Sequence, residues 1–357
     1  MKILVAGDSY CPVRVFGEPF RSLAREHAVT QFDLADQPGW VPSTASERTL
    51  KEYLGSPSQL IERLDGMDVL VVQGAPVSAE VLDAARLRLV CVARGGPVNV
   101  DLAAATARGI PVAITPGKNA VGVAELTIGL AIMLSRKIAG SMRSIDAGGD
   151  YAVDNFEGAR WFGHNLAGRT LGLVGYGQVG SRVANLALAF GMRVLVHDPY
   201  VDPRSIGAPG VTLVEMPVLL ATSDIVSLHA RLTPETRGML DATAIASMRE
   251  GVLLLNTARA ELLDEDALMS ALASGHVGGA ALDIARPTPA GAPRPLLDHP
   301  NVVILNHIGG SSWETLRRGG ELAAAEVERL AKGEALLNVA NRAGLAAREA
   351  EATGAAR

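Results

Sequence analysis

Cysteine is nearly absent: Cys11 and Cys91 are the only two in 357 residues. Neither belongs to a CxxC pair, so a disulfide framework and a zinc site are not expected, and a reducing cytoplasm fits. Aromatic residues are scarce at 4%, so any core must be aliphatic. The 48% hydrophobic content supplies such a core and argues against disorder. No apolar run is long enough to span a bilayer. The opening "MKILVAGDS" holds too short an apolar stretch for a signal peptide. Long basic runs are missing and the net charge is −5, so nucleic acid is not an expected partner.

What the chain does have is length enough for two domains and a strand–helix rhythm. "KILVAG", "DVLVVQ" and "LRLVCVA" read as strands in the first third. "LGLVG", "RVLVHD", "DIVSLH", "GVLLLNT", "GGAALD" and "NVVILNH" follow. Most are continuous Val/Leu/Ile runs, as expected of parallel strands buried on both faces. Helical patterns such as "SRVANLALAF" and "DEDALMSALASG" lie between them, which implies right-handed crossovers. "AVGVAELTIGLAIMLSRKI" reads as a long buried helix connecting domains, and "ELAAAEVERLAKG" as a late amphipathic helix. The Ala- and Gly-rich residues 341–357 read as a flexible tail.

"LGLVGYGQVGSRVANLALAF" places Gly175, Gly177 and Gly180 in GxGxxG spacing after a strand and at the start of a helix. That context is what dinucleotide binding demands. Gly175 permits a tight turn, Gly177 lets backbone approach a pyrophosphate, and Gly180 permits close helix–strand packing. The helix N-terminus then faces the negative charge. Asp198 ends the next strand, placed to accept from a ribose hydroxyl and to repel a 2′-phosphate, which favours NAD over NADP. A Walker A loop is excluded because Ser181 follows Gly180 where lysine is needed.

Ligands of open parallel sheets bind beyond the carboxyl ends of the strands. Four polar residues fall there: His229, Arg259, Asp283 and His307. Arg259 is suited to a substrate carboxylate, which a guanidinium grips as a fork, although Glu261 or Asp264 could instead pair with it. His307 is suited to proton transfer. Asp283 could accept from a nicotinamide carboxamide. His229 reads as structural.

These residues and their surroundings resemble the NAD-dependent D-isomer-specific 2-hydroxyacid dehydrogenases, especially the phosphoglycerate dehydrogenase-like branch. The resemblance runs through "RGGPVNVDLAAATARGIPVAITPGKNAVGVAELTIGL", "LAGRTLGLVGYGQVG", "HARLTPETRG", "LLNTARAELLDEDAL", "GGAALDI", "HPNVVILNHIGGSS" and "LAKGEALLNVAN". It implies an α/β fold of two doubly wound parallel-sheet domains, a Rossmann coenzyme domain (116–311) inserted into a flavodoxin-like substrate domain (1–115 and 312–340). It implies an oxidoreductase moving a hydride between NAD and a small 2-hydroxy or 2-keto acid, phosphorylated or polyhydroxylated in some members. By the same resemblance Thr115, Gln178, Val179, Ala230, Thr257, Ala258, Gly309 and Gly310 line the cofactor. Arg259 grips the substrate, helped by Arg94 and backbone N–H groups near Gly95 and Gly96. The arm from Tyr151 to Trp161 resembles the family's dimerisation region, implying a homodimer or larger homo-oligomer.

Two stretches depart from the family pattern. Thr288, in "LDIARPTPAG", stands where the family places a catalytic glutamate, and no Asp or Glu occurs between Ile284 and Leu297. A glutamate would favour the imidazolium of His307, whereas a threonine hydroxyl carries no charge. His307 is therefore expected to act mainly as a base near neutral pH, favouring oxidation of a hydroxy acid. "RGGPVNVD" is also shorter than the family's stretch, and Arg286 and Arg294 offer cations for a second anionic group. The competing class is a non-catalytic NAD(H)-sensing regulator of the same fold; redox-assisted isomerisation of a polyhydroxy acid is a related alternative.

Overall fold

The computed structural model describes residues 1–148, 157–206, 209–287, 289 and 295–354. The chain divides into two units, Met1–Lys118 with Ser311–Arg357, and Asn119–Gly310. The second is inserted into the sequence of the first. The junctions fall three residues later and one residue earlier than the resemblance implies.

The first unit carries strands β1 (Lys2–Gly7), β2 (Ala28–Asp33), β3 (Val69–Val72), β4 (Leu89–Val92) and β5 (Val112–Ile114). They pair in parallel in the order β2-β1-β3-β4-β5, the flavodoxin-like winding. β3 and β4 are buried at every position, which is why they read as unbroken apolar runs.

The inserted unit carries β6 (Thr170–Val174), β7 (Arg193–His197), β8 (Val211–Leu213), β9 (Ile225–Leu228), β10 (Val252–Asn256), β11 (Val277–Leu282) and β12 (Val302–Ile304). Their order is β12-β11-β10-β9-β6-β7-β8, again all parallel. Strand order reverses between β6 and β9, the switch point of a Rossmann sheet. Three strands escaped the sequence reading: β2, β5 and β8. All three are sheet edges, and β5 and β8 are only three residues long. β2 and β8 are partly exposed edges that need no continuous apolar run, whereas β5 is apolar and buried but only three residues long, too short to declare itself.

Four helices matter below. α1 (Ala120–Ser135) begins just past the junction and lies wholly in the inserted unit. It ends where Lys137 takes a left-handed conformation, φ 53°, so the expected connector breaks before α2 (Ile138–Asp146). α3 (Gly180–Ala189) follows the glycine loop. α4 (Trp313–Lys332) belongs to the first unit and is capped by Ser312, whose side chain accepts from the Thr315 N–H. Gly320 within α4 is required by packing: a Cβ there would stand 1.9 Å from the Phe16 carbonyl oxygen.

The expected flexible tail is corrected. Residues Arg342–Gly354 form a further helix, α5. Asn341 pins its start: its Oδ1 accepts from Val112 N–H at 2.9 Å, and its Nδ2 donates to the Ile110 carbonyl at 2.9 Å. Alanine favours helix, and the two glycines of the segment misled the reading of composition.

Candidate functional site

Register sets the site of the inserted unit. Val174 pairs with Leu228, Leu228 with Asn256, Asn256 with Leu282, and Leu282 with Ile304. These five residues form one row across the sheet, with strands spaced about 4.8 Å apart. The residues that follow leave one edge together: Gly175, His229 and Ala230, Thr257 to Arg259, Asp283, and His307. The sheet brings these sequence candidates to a single edge.

The glycine loop has the geometry its spacing requires. Gly175 has φ +99°, and a Cβ there would lie 2.7 Å from the Ala230 nitrogen. A Cβ on Gly180 would lie 2.2 Å from the Gly175 carbonyl oxygen. Gly177 is different: it is exposed, and an added Cβ would meet nothing within 4 Å. α3 has no side-chain N-cap and no acid in its first turn, so no side-chain oxygen competes with an anion at its N-terminus. This open cradle fits a pyrophosphate. Gln178 is exposed and Val179 half-buried beside it. Asp198 braces the loop, accepting from Tyr176 N–H at 2.8 Å and Tyr200 N–H at 3.0 Å. Each carboxylate oxygen keeps a lone pair for a ribose hydroxyl.

Arg259 is exposed, and among the described residues its guanidinium meets only the neighbouring Ala258 carbonyl, at 2.7 Å. Neither Glu261 nor Asp264 pairs with it. Asn256 holds its backbone. The buried Asn256 side chain accepts from Ala258 N–H at 3.0 Å and donates to the Arg259 carbonyl at 2.8 Å. Sequence reading missed Asn256; its signal was an amide ending an otherwise apolar strand, where a buried polar group needs partners. Thr257 is also buried, its hydroxyl 3.1 Å from that of Thr127.

His307 is exposed and sits in the left-handed region at φ 54°. For a residue with a Cβ this costs about 1–2 kcal/mol, and such strain concentrates at functional sites. Asp283 holds the turn. Its carboxylate accepts from Ile308 N–H and Gly309 N–H, each at 2.8 Å, and its carbonyl accepts from His307 N–H at 2.9 Å. Gly309 is needed for closeness, since a Cβ would stand 2.8 Å from the Asp283 Oδ2. Gly310 lies against Asn119. Asp283 thus has a positioning duty that sequence alone did not indicate.

His229 behaves otherwise. Burial pushes its pKa down to about 4, and its Nε2 is paired with the Ser227 hydroxyl at 2.9 Å. It is neutral at pH 7 and structural. Thr288 and Arg294 lie outside the described residues, as do Tyr151–Phe156 of the arm. Arg286, expected to greet a second anion, is engaged instead: it donates to Asp266 Oδ1 at 3.0 Å, and its backbone N–H to Glu265 Oε1 at 2.5 Å.

The remaining candidates belong to the first unit. Arg94 follows β4 and is clamped by Glu52, through both the Glu52 carboxylate and its carbonyl. Gly95 and Gly96 are open, with nothing within 4 Å of an added Cβ. Thr115 follows β5; its hydroxyl is buried with no partner among the described residues.

Residues 128–309 match the family model described as D-isomer specific 2-hydroxyacid dehydrogenase, NAD binding domain. The chain is 36% identical over 288 residues to D-3-phosphoglycerate dehydrogenase of Homo sapiens, covering 80% of this chain and 53% of that protein. It therefore spans about half the length of the curated relatives it matches. Among solved structures, the TT0316 protein from Thermus thermophilus is 32% identical with TM-score 0.73, covering 95% of this chain and all of that one. A glyoxylate reductase from Paecilomyes thermophila is 28% identical with TM-score 0.70, covering 95% of this chain and 98% of that one.

Proposed function

The chain belongs to the D-isomer specific 2-hydroxyacid dehydrogenase family, and from that premise we propose that it oxidises a small 2-hydroxy acid to the 2-keto acid, reversibly, with NAD. The observation carrying this reading is a pair of groups on one sheet edge that have no carboxylate partner among the described residues. Arg259 and His307 are exposed, have no carboxylate partner among the described residues, and stand on turns fixed by Asn256 and Asp283. A non-catalytic sensor of NAD(H) needs neither.

Bound NAD supplies the acceptor for the hydride leaving C2. Arg259 holds the substrate carboxylate as a fork and so fixes C2. The His307 imidazole takes the hydroxyl proton during oxidation and returns it during reduction. Asp283 orients His307 through the backbone and keeps lone pairs for the carboxamide. Gly175, Gly177 and Gly180 with α3 hold the pyrophosphate, Asp198 the ribose, and Gln178, Val179, Ala230, Thr257, Ala258, Gly309 and Gly310 the remaining surface. With Thr288 at the family's glutamate position in sequence, we read the enzyme as biased towards oxidation of the hydroxy acid.

We further read the protein as a cytoplasmic homodimer or larger homo-oligomer. Both cysteines are buried free thiols, and no helix among the described residues is long and apolar enough to cross a membrane. α2 exposes Ile138, Met142 and Ile145 beside a cavity of about 400 Å3 lined by Met133, Trp161, Leu253 and Val303, at the sheet edge opposite the site. Sedimentation as a monomer at micromolar concentration would overturn the oligomer.

The activity test is NADH formation, followed by its absorbance, across a panel of 2-hydroxy acids. The expected result is turnover on at least one acid, lost in both Arg259→Ala and His307→Ala. Tight NADH binding without turnover on any acid would replace this reading with the sensor.

A further inference from the structure

The carboxyl ends of the inserted sheet carry the dinucleotide and substrate candidates. Its amino ends carry a second concavity, the cavity of about 400 Å3. Ligand pockets span about 300–1,000 Å3. Leu253 and Val303, near the starts of β10 and β12, line it together with Met133 of α1 and Trp161.

Backbone contacts hold these walls apart. Gly163 runs so close to the end of α1 that a Cβ there would stand 2.1 Å from the Ser135 carbonyl oxygen. A Cβ on Gly278 would stand 2.7 Å from the Gly251 carbonyl oxygen. The Trp161 ring lies on α2, where a Cβ on Gly140 would be 3.2 Å from its Cζ3. Arg143 ties α2 to the entry of β12, donating to the carbonyls of His299 at 3.0 Å, Pro300 at 3.1 Å and Val302. Interiors are normally close-packed, and a void closes only as far as its walls can move. Walls fixed in this way keep the space open for an occupant.

The charged part of the lining is mostly cationic: Lys137, Arg143, Arg169 and Arg249 stand against Asp224 and Glu250. Asp224 is buried, and two guanidinium groups share it. Its Oδ1 accepts from Arg169 Nη1 at 2.9 Å and from Arg249 Nη1 at 2.6 Å, while its Oδ2 accepts from Thr170 N–H at 2.9 Å. A guanidinium has five N–H donors, and each of these spends one on Asp224. Glu250 is exposed and pairs with no cation among the described residues. The Lys137 ammonium donates to the Arg160 carbonyl at 3.4 Å and meets no carboxylate among the described residues. Cationic donors beside an aliphatic and aromatic wall suit a molecule with an anionic head and an apolar body.

We propose that this cavity is a second ligand site, which takes an amphipathic carboxylate of medium chain length. The chain lies against Met133, Trp161 and Val303, and the carboxylate meets Arg249 and Arg169. The site is built wholly within the inserted unit and does not rest on the 2-hydroxy acid reading.

The test titrates octanoate, octanol and octylamine into the protein by calorimetry, with NADH saturating so that the dinucleotide cradle is filled. Octanoate should bind at a single site, octanol at least about tenfold more weakly, and octylamine not at all. Arg249 is exposed, and Arg249→Met leaves Asp224 paired with Arg169 and the Thr170 N–H. An unchanged melting temperature shows that the fold is retained. A charge-assisted hydrogen bond is worth about 10- to 100-fold in affinity. Arg249→Met should weaken octanoate by that factor and leave octanol alone. Ala139→Phe, which sets a ring in the cavity, should abolish binding of both; should it fail to fold, Arg249→Met and Arg259→Ala decide. Arg259→Ala should leave octanoate binding unchanged. Binding lost in Arg259→Ala but kept in Arg249→Met would put octanoate on the substrate edge and overturn the proposal. Equal binding of the three chains overturns it too, since the cations then select nothing. No binding of any chain overturns it and leaves the cavity to a second copy of this protein.

Discussion

Two histidines end neighbouring regions of one sheet, and they show how environment divides a residue type. His229 follows β9 in the middle of the sheet, where burial pushes its pKa down to about 4 and Ser227 takes its Nε2. His307 follows β12 at the sheet edge, exposed, on a left-handed backbone that Asp283 enforces from below. One imidazole is sealed as a neutral filler. The other is held in strain and kept available. Strand-end position alone does not create a proton-transfer group; solvent access and a fixed backbone do.

The sharpest break of this comparison is substitution by a neutral residue at each position. His307→Asn keeps a residue that tolerates left-handed backbone, so the fold should hold. Its kcat should fall about 10²- to 10⁴-fold, the usual worth of a general acid–base group. His229→Gln should leave kcat within a few-fold. Steady-state kinetics on the acid found in the panel decides, and equal losses in the two variants would erase the distinction.

Acid stability is the next lever. The folded pKa of His229 lies below its unfolded value near 6.5, so the native state binds fewer protons. Its stability is whole above about pH 6.5 and is lost as pH falls towards 4. Denaturation midpoints at pH 7 and 4.5 should show the wild type losing up to about 3 kcal/mol that His229→Gln retains.

Asp283→Asn tests what holds the second histidine in place. One carboxylate oxygen becomes an amide, so one of the Ile308 and Gly309 N–H groups loses its acceptor. Such an orphan costs about 1–3 kcal/mol. Activity should fall by about tenfold or more with the fold intact, while His229 keeps its acid-labile behaviour. Unchanged kcat would show that the turn is held without Asp283.

These features were unequally legible in the sequence. Buried strands and the glycine loop declare themselves because continuous apolar runs and three fixed glycine spacings each have one cheap structural solution. Arg259, Asp283 and His307 were visible as polar residues ending apolar runs. Their supports were not. Asn256 and Asp283 act through backbone N–H groups whose positions depend on the register of four strands, and no local pattern encodes that register. The edge strands β2 and β8 left no signal because half their surface needs no apolar residue, and β5 because three residues are too few to set a pattern. The helical α5 was hidden by glycines that its alanines outweigh.

The finest distinction concerns charge rather than exposure, and Thr288→Glu addresses it. The wild-type sequence has no carboxylate at position 288, the family's glutamate position. A glutamate there favours the protonated ring, since an opposite charge nearby raises the pKa of a base. On the proposed reading reduction uses His307 as the acid, so its pH profile should move to higher pH in Thr288→Glu. Oxidation, which needs the base, should move the same way and lose rate at neutral pH. The His229 acid limb of stability should not move at all. Identical reductive profiles in wild type and Thr288→Glu would mean that another carboxylate already serves His307, or that residue 288 is not beside it.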